Sequence, residues 1–412
     1  MRVKRLTLEN IGPFIQAELD FRRDGGATSQ VVLITGENGT GKSILLDAIR
    51  EMFGRSYARV ERGIRRRGAE EQAKVALVLE IEHKDTQFDA ASFGQDYMSP
   101  TPPFVANLPS EVQSKRTAPN WIVDYWPSGL AGGSYHINAF SAPRHEQFLI
   151  DALQGQRQKE DITQLICHSD YLRDSKDPVE RTAGEHLYAV LEEIIAVSLL
   201  DGGYLSHVAR ATYDPIVVQN GQAVPLANLS GGNAYLIQNM VSLLGKMYSV
   251  HFLNKTPLDD LCQTPGLVLI DEAENQLHPK WQKRFIGNLL EIFPNLQIVA
   301  TTHSPFIIAS APQPQLFVCK AQVDHCIVVD ETAEYSNKPV DEILMSPLFE
   351  GTWPFNAEIT ALLEQREAAI RRGDQESRTA IEHRLQELNP TYFSYFDIDE
   401  LLDKLSSGEA GI

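Results

Sequence analysis

The sequence lacks the usual features of membrane and secreted proteins. No apolar run reaches the roughly 18 residues of a membrane-spanning helix, and no long apolar signal-peptide segment follows Met1. Only four cysteines occur in 412 residues, and none of them shows C-x-x-C spacing. This usage argues against a disulfide framework or a structural zinc site. We therefore expect a cytoplasmic protein without membrane contact, whose thiols are buried.

The sequence also lacks a surplus of positive charge. Its 37 Lys and Arg residues face 55 Asp and Glu residues, which gives a formal net charge of −18. Because proteins that coat nucleic acid usually carry a basic surplus, a DNA or RNA contact would need a local patch. The sharpest basic cluster comprises Arg59, Arg62, Arg65, Arg66 and Arg67. It fits either phosphate contacts or a solvated, salt-bridged helix face, and both interpretations stay open.

Sustained heptads and internal repeats are missing, which excludes an extended coiled coil. The chain instead contains short strands and helices in alternation. Apolar spacing predicts strands at residues 3–8, 15–21, 31–34, 75–82, 267–270, 298–301 and within 317–329. It predicts helices at 44–52, over most of 158–200, at 236–244, in a charged hairpin at 358–388 and at 396–405. Residues 84–134 are rich in Pro, Ser, Gly and Asn and are predicted to form an irregular insertion.

A glycine-rich stretch lies between the predicted strand at 31–34 and the predicted helix at 44–52. It matches G-x-x-x-x-G-K-[ST] with Gly36, Glu37, Asn38, Gly39, Thr40, Gly41, Lys42 and Ser43. Glycines let successive backbone N–H groups surround an anion, at the positive end of the next helix. A chance glycine-rich turn would lack the flanking strand and helix. We therefore predict an ATP phosphate loop, in which the Lys42 ammonium reaches the β- and γ-phosphates and Ser43 ligates Mg²⁺.

Two carboxylates, Asp271 and Glu272, directly follow the predicted apolar strand at 267–270. The carboxyl ends of strands are where open α/β sheets bind their ligands. At that position Asp271 is predicted to hold Mg²⁺, and Glu272 to act as a general base for the attacking water. A strand that simply runs into an acidic loop is the alternative, and the phosphate loop makes it the weaker one.

Two further motifs are compatible with phosphate chemistry. Ser230, Gly231 and Gly232 precede the predicted helix at 236–244, so Ser230 is predicted as its N-cap and the turn as a second anion site. A plain capped helix is the alternative. His303 follows the predicted strand at 298–301, where it can contact a γ-phosphate oxygen or the lytic water. Considered alone, it would more simply be a core or surface histidine.

The order phosphate loop, Leu-Ser-Gly-Gly, Asp-Glu, His resembles that of ABC-class ATPases. The stretch LTLENIGPF leading to LITGENGTGKS is similar to the opening of the soluble branch of SMC, RecF and double-strand-break repair ATPases. LIDEAENQLHPKWQ and ATTHSPFI resemble compact AAA-type ATPases of anti-phage defence, including Septu- and retron-associated ATPases and overcoming-lysogenisation proteins. The resemblance covers about residues 1–60 and 215–310, and more weakly 135–150.

The resemblance implies an α/β P-loop NTPase of ABC type. It would have a mixed central sheet with helices on both faces, a helical subdomain and a C-terminal helical hairpin. It also implies a head-to-tail homodimer that sandwiches two ATP molecules, in which Ser230, Gly231 and Gly232 meet the nucleotide held by the partner. Asn275 would lie in the loop at that interface, and Gln147 is a weak candidate for the Mg²⁺-sensing glutamine. We expect four segments: the first part of the head at 1–83, an insertion and helical subdomain at 84–215, the second part of the head at 216–330, and a helical extension at 331–412.

Three functions fit these motifs. The favoured one is an ATPase that gates a partner effector such as a nuclease in anti-phage defence, with a DNA-repair ATPase of the SMC or RecF kind as its near alternative. A transporter subunit fits less well, because the N-terminus is SMC-like and no coupling segment is found. A non-hydrolysing ATP sensor conflicts with intact Lys42, Asp271, Glu272 and His303. The segment after His303 lacks a clustered acidic metal site, so no nuclease activity is expected in this chain.

Overall fold

The computed structural model describes residues 1–54, 58–59, 72–92, 97–101, 112–114, 118–129, 132–139, 141–154, 159–199, 202–349 and 355–396. The chain divides into two compact units, Met1–Val340 and Asp341–Ile412. The basic cluster lies outside the described residues, apart from Arg59 in a two-residue strand. The predicted closing helix at 396–405 lies outside them as well, apart from its first residue.

Fifteen strands occur in the described part of the first unit. They are β1 Arg2–Ile11, β2 Phe14–Asp20, β3 Val31–Gly36, β4 Ala58–Arg59, β5 Ala73–Ile81, β6 Lys84–Ser92, β7 Tyr97–Thr101, β8 Ile122–Trp126, β9 Tyr204–Ala209, β10 Asp214–Gln219, β11 Gln222–Pro225, β12 Gly266–Ile270, β13 Leu296–Thr301, β14 Gln315–Ala321 and β15 Cys326–Asp330. Twelve of them form one sheet in the order β4-β7-β6-β5-β1-β2-β15-β14-β3-β13-β12-β8, and β11-β10-β9 form a small second sheet. The mixed central sheet expected from the resemblance is confirmed.

The main sheet has a parallel half and a largely antiparallel half. Strands β14, β3, β13, β12 and β8 run parallel to one another, and β14 pairs antiparallel with β15 on its other side. Strands β12 and β13 are buried at every residue, as continuous apolar strands in a parallel sheet should be. Strands β1, β2, β5, β6 and β7 pair antiparallel. The carboxyl ends of the parallel strands therefore share one edge, which is the position expected for a ligand site.

Helices pack against this sheet and against one another. In the first unit they are α1 Lys42–Gly54, α2 His145–Gln154, α3 Lys159–Arg173, α4 Pro178–Ser198, α5 Gly231–Asn254, α6 Pro279–Gln282, α7 Phe285–Ile292, α8 Pro305–Ser310, α9 Thr332–Tyr335 and, at the boundary between the units, α10 Val340–Leu344. Short 3₁₀ turns span Leu226–Asn228, Leu261–Gln263 and Pro347–Phe349. Across the described ranges, no helix combines the length and apolar character needed to cross a bilayer. The predicted helices at 44–52, 158–200 and 236–244 are confirmed, the second of them as the pair α3 and α4.

The prediction of an irregular insertion at 84–134 is wrong for three segments. Strands β6 and β7 extend the antiparallel half of the sheet, and β8 forms the edge of the parallel half. A tight turn at Glu82 and His83, both with positive φ, joins β5 to β6 in register. Strand β8 is buried at all five residues. Averaging the composition over fifty residues concealed these short strands, because their turn-forming neighbours dominate the average.

The second unit contains the predicted helical hairpin. Its helices are α11 Ala357–Arg372 and α12 Gln375–Leu388. Gly373 ends α11 with a φ of 71°, and the Asp374 side chain caps α12 by accepting from the Ser377 N–H at 3.1 Å. A small core forms between the helices and the residues after them, from Ile359, Leu363, Leu385, Phe393 and Phe396. The charged helical hairpin predicted at 358–388 is therefore confirmed, with its turn at Gly373 and Asp374.

Candidate functional site

The carboxyl ends of β3, β13 and β12, which are neighbours in the sheet, bring three of the predicted motifs together. The phosphate-loop motif begins at the last residue of β3, the acidic pair follows β12, and His303 follows β13 two residues after its end. The phosphate loop is more than 200 residues from the other two motifs in the sequence, and the parallel pairing of the strands makes all three adjacent. The strand, loop and helix predicted around the motif are confirmed.

The phosphate loop depends on glycine at three positions. Gly36, Gly39 and Gly41 have φ values of 135°, 82° and 95°, in the region that other residues rarely adopt. A Cβ on Gly36 would lie 2.3 Å from the Cys319 carbonyl oxygen, so the loop also packs tightly against β14. The Thr40 hydroxyl donates to the Glu37 carbonyl at 2.8 Å and closes the turn. Glu37, Asn38 and Gly39 are exposed, which leaves the tip of the loop open to a ligand.

The Lys42 side chain folds back over the loop. Its ammonium donates to the carbonyl oxygens of Gly36 at 2.9 Å and Glu37 at 2.7 Å, and the residue is buried. Burial lowers the pKa of Lys42, while the nearby Cys319, Glu274, Asp271 and Glu272 act to raise it. Carbonyl oxygens are weaker partners for an ammonium than anionic oxygens are. Phosphate oxygens at this position would therefore compete effectively for Lys42.

Asp271 is at the centre of the polar contacts between the strands. Its Oδ1 atom accepts from the Ser43 hydroxyl at 2.8 Å and from the Thr301 hydroxyl at 2.9 Å, and the residue is 3% exposed. Its backbone N–H donates to the Trp126 carbonyl at 2.9 Å, at the end of β8. Asp271 is thus held at the end of β12 by contacts from α1, β13 and β8. Ser43 and Asp271 together present hard oxygen atoms, which are the ligands that Mg²⁺ prefers.

Glu272 lies on the exposed side of the site. Its φ of 53° turns the chain immediately after β12, and its backbone N–H donates to the Thr301 hydroxyl at 2.7 Å. Asp271 is buried and Glu272 is exposed, so the two adjacent carboxylates have different environments. This arrangement is compatible with the two roles predicted from the sequence, in which Asp271 holds Mg²⁺ and Glu272 acts on the attacking water.

His303 is half-buried, and the segment that carries it is held from both sides. The Thr302 backbone N–H donates to the Ile34 carbonyl at 3.0 Å, and the His303 backbone N–H donates to Glu274 Oε1 at 2.7 Å. Burial and the Lys42 charge lower the pKa of His303, against a smaller opposing effect of Glu274 and Glu272. The ring is therefore neutral at pH 7, so it can donate or accept a hydrogen bond.

Ser230 precedes α5, which is the longest helix of the described chain. It occupies the N-cap position as predicted, but its hydroxyl makes no capping hydrogen bond. Ser230 and Gly231 are exposed. A Cβ on Gly232 would lie 2.6 Å from the Gln276 carbonyl oxygen, so glycine allows the turn to pack on the segment after the acidic pair. The Ser230 hydroxyl and the N-terminus of α5 are thus both accessible from solvent. A site that binds an anion from outside this chain would need such access.

The sequence reasoning missed three residues of the site. Thr301 joins Asp271 to the Glu272 backbone, Glu274 holds the His303 backbone, and Gln282 Oε1 accepts from the Ser304 hydroxyl at 2.5 Å. All three belong to motifs that were quoted for the resemblance, so their polar character could have been examined there. Asn275 donates to the Ser128 carbonyl. Gln147 is on α2 and donates to Asp151 Oδ1 at 2.6 Å, and its role as a Mg²⁺ sensor stays a prediction.

The mixed sheet and the phosphate-loop motif at the end of its central strand define a P-loop NTPase fold of the ABC type. The chain belongs to the family described as "AAA domain, putative AbiEii toxin, Type IV TA system", which matches residues 101–309, just over half of its length. A second family, described as "AAA domain", matches residues 5–93. The two matches together include the phosphate loop, the turn at Ser230, Gly231 and Gly232, the acidic pair and His303.

Known relatives share parts of this sequence. The retron Vc95 probable ATPase of Vibrio cholerae serotype O1 biovar El Tor is 26% identical over 190 residues, which are 46% of this chain and 36% of that protein. The retron Ec83 probable ATPase of Escherichia coli is 30% identical over 123 residues, 30% of this chain and 22% of that one. The Septu protein PtuA of Bacillus thuringiensis is 24% identical over 366 residues, 83% of each chain. The chain thus spans about a third or less of the two retron proteins.

Among solved structures, an SMC head bound to the C-terminal winged-helix domain of ScpA is similar to this chain. The similarity has a TM-score of 0.49 at 14% identity and covers 81% of this chain and 98% of that one.

Proposed function

We propose that this chain is a Mg²⁺-dependent ATPase that works as a switch. ATP binding closes a head-to-tail homodimer, hydrolysis reopens it, and the cycle gates a partner effector. The observation that carries this proposal is the convergence of Lys42, Ser43, Asp271, Glu272 and His303 at one edge of the sheet. Chance matches to separate motifs would not bring all five together in three dimensions.

The residues around Asp271 fit Mg²⁺ with ATP. Ser43 Oγ and Asp271 Oδ1 lie 2.8 Å apart at the start of α1, where phosphates would be held by the loop. These two residues would hold the ion, which when bound neutralises charge on the β- and γ-phosphates. The three glycines orient the backbone N–H groups, and Lys42 leaves its carbonyl partners to bind phosphate oxygens. Glu272 then accepts a proton from the attacking water while neutral His303 orients the γ-phosphate or that water.

The proposed dimer is supported by what one protomer leaves exposed. The hydroxyl of Ser230 has no capping role, and Ser230 and Gly231 face solvent. A γ-phosphate bound by the other protomer's loop would give this helix N-terminus an anionic partner. Closure would therefore depend on the triphosphate and would be lost when the γ-phosphate leaves. Such a contact between protomers can transmit the state of the nucleotide to a partner protein.

The relatives support a defence role for this switch. Several are ATPases of retrons or Septu proteins, and the sequence resembles ATPases of anti-phage systems. We propose an effector of the nuclease class, supplied by another chain. Incubating this protein with supercoiled plasmid, ATP and Mg²⁺ should then leave the plasmid intact. A plasmid-nicking activity that co-purifies with wild type and is absent from Asp271→Asn would contradict the proposal that another chain supplies the nuclease.

Phosphate release from ATP tests the proposed activity itself. Wild type should release phosphate, Lys42→Ala should not bind ATP, and Glu272→Gln should bind ATP but hydrolyse it at least about a hundredfold more slowly. Glu160→Gln is the control, because it makes the same carboxylate-to-amide change at a half-buried residue of α3, whose carboxylate accepts the Ser134 backbone N–H at 3.0 Å. Wild type that binds no ATP, or a Glu272→Gln variant that hydrolyses ATP like the control, would overturn the proposal.

A further inference from the structure

The Glu274 carboxylate uses both of its oxygens to hold the segment that carries His303. Oε2 accepts from the Thr302 hydroxyl at 2.7 Å, and Oε1 accepts from the His303 backbone N–H at 2.7 Å. Glu274 is half-buried and Thr302 is fully buried. Two short hydrogen bonds to an ionised carboxylate are stronger than bonds between neutral groups. The contact thus fixes the main chain at His303, just beyond the end of β13.

The other side of the same segment is also fixed. The Thr302 backbone N–H donates to the Ile34 carbonyl of β3, and the Thr302 hydroxyl accepts from the Ser304 N–H at 3.0 Å. Ser304 caps the short helix α8. Glu274 thus contributes a carboxylate to a turn whose other contacts described above come from backbone groups and hydroxyls. Because the backbone at His303 is held on both sides, the imidazole ring is confined to a narrow range of positions. A group that orients a reactant needs such confinement for catalysis.

We propose that Glu274 is a positioning residue for ATP hydrolysis, which acts by holding His303 in register with Glu272 and the phosphate loop. The inference rests on the proposed ATPase function and adds to it a residue that acts through the backbone of His303. Glu274 follows Glu272 by two residues, so one short segment carries the general base and the group that places the histidine. A movement of this segment would displace both groups together.

Charge adds a second consequence that a purely structural carboxylate would not have. The charged groups that act on His303 are Lys42, which lowers its pKa, and Glu274 and Glu272, which raise it. Removing the Glu274 charge should therefore lower the pKa of His303 further. If neutral His303 is the active form, the acid limb of the rate profile moves to lower pH. Loss of fold stability alone would reduce the rate without moving that limb.

The test compares Glu274→Gln, His303→Ala, the double variant and Glu160→Gln, in the full chain with ATP and Mg²⁺. Glu274→Gln keeps the shape of the side chain but puts an N–H₂ group where one donor needs an acceptor. We expect kcat to fall about tenfold to a hundredfold with KM for ATP little changed, since misplacement by about 1 Å has effects of this size. Glu274→Asp, which keeps the charge on a shorter side chain, should recover part of the rate and the wild-type acid limb.

The double variant decides whether Glu274 acts through His303. On our account, Glu274→Gln has less than about a twofold further effect when His303 is already alanine, because coupled residues are not additive. A full additional loss in that background, or a Glu274→Gln enzyme as active as Glu160→Gln, overturns the inference while leaving the ATPase proposal intact. A wild type without ATPase activity overturns the proposed function, and with it this inference.

Discussion

The Ser43 hydroxyl donates to Asp271 Oδ1 at 2.8 Å, although the two residues are 228 positions apart in the sequence. Ser43 is the second residue of α1, and Asp271 directly follows β12, which lies two places from β3 in the sheet. One hydrogen bond therefore connects the two sequence motifs that P-loop ATPases use for a metal-bound triphosphate.

Replacing Asp271 with Asn should weaken the use of Mg²⁺ more than the binding of ATP. The amide keeps an oxygen for Ser43 and Thr301 but loses the charge that a divalent cation prefers. We expect the Mg²⁺ concentration for half-maximal ATPase activity to rise at least about tenfold, since even outer partners of metal ligands have effects of that size. A Mg²⁺ titration at saturating ATP measures it. An unchanged midpoint would contradict the assignment of Asp271.

Replacing Gly36 with Ala should disrupt the loop. The new Cβ would lie 2.3 Å from the Cys319 carbonyl oxygen, and a φ of 135° is strained for alanine. We expect at least about tenfold weaker ATP binding and a loss of about 1–3 kcal/mol in unfolding free energy. Gly287→Ala is the control, because no atom lies within 4 Å of a Cβ at this exposed helical position. Equal behaviour of both variants in ATP titration and urea unfolding would count against the tight packing.

Replacing Lys246 with Met should remove one half of a buried ion pair. Lys246 on α5 donates to Asp124 on β8, and both side chains are almost fully buried. The uncompensated carboxylate should cost about 3–5 kcal/mol of unfolding free energy. The double variant Lys246→Met, Asp124→Asn should recover most of this loss, because the buried charge is then removed while the amide oxygen still accepts from the Trp126 indole N–H.

The exposed pair Lys338–Glu334 provides the comparison for that experiment, since its carboxylate is largely solvated. Lys338→Met should cost less than about 1 kcal/mol. Chemical unfolding followed by circular dichroism measures all three variants. A single Lys246→Met variant that is as stable as Lys338→Met would show that the pair is not buried as described.

His145 should make the stability depend on pH. Burial lowers its pKa from 6.5 to about 4, and the ring stacks on Phe252 and hydrogen bonds to the Ser249 hydroxyl. As the pH falls, the unfolded chain binds a proton at His145 before the folded chain does. The contribution of neutral His145 to the unfolding free energy is therefore complete above about pH 6.5 and is lost as the pH falls to about 4. The unfolding free energy lost in this way is at most about 3 kcal/mol. His168, whose pKa burial also lowers, adds to the same trend.

The unfolding free energy between pH 7 and pH 4 checks this dependence. His145→Phe retains a ring against Phe252 but cannot be protonated, so its curve should be flatter than that of wild type. Ser249 keeps its bond to the Gly245 carbonyl at 2.7 Å in this variant. His83→Asn is the control, since the His83 side chain is 98% exposed. Parallel curves for wild type and His145→Phe would be inconsistent with a buried, neutral His145.

The phosphate loop and the acidic pair could be predicted from sequence because each is a short motif with its own strand. Lys42, Asp271 and Glu272 are predicted as site residues in this way, and the strands before them are confirmed. Thr301 and Glu274 were not predicted as members of the site, because their importance depends on partners about 30 residues away. Strands β6 to β8 were missed for a related reason. The local composition around all three was typical of loops, and the partner of β8, strand β12, is far along the chain.

The oligomeric state of Glu272→Gln with ATP and Mg²⁺ tests the central claim most directly. Light scattering should show the 46.0 kDa chain doubling its mass with ATP and returning to its starting state with ADP. Adding Ser230→Arg should abolish the doubling while ATP binding by the Lys42 loop persists. A Glu272→Gln chain that binds ATP without changing its mass, or that still doubles with arginine at position 230, would contradict a triphosphate held between two protomers.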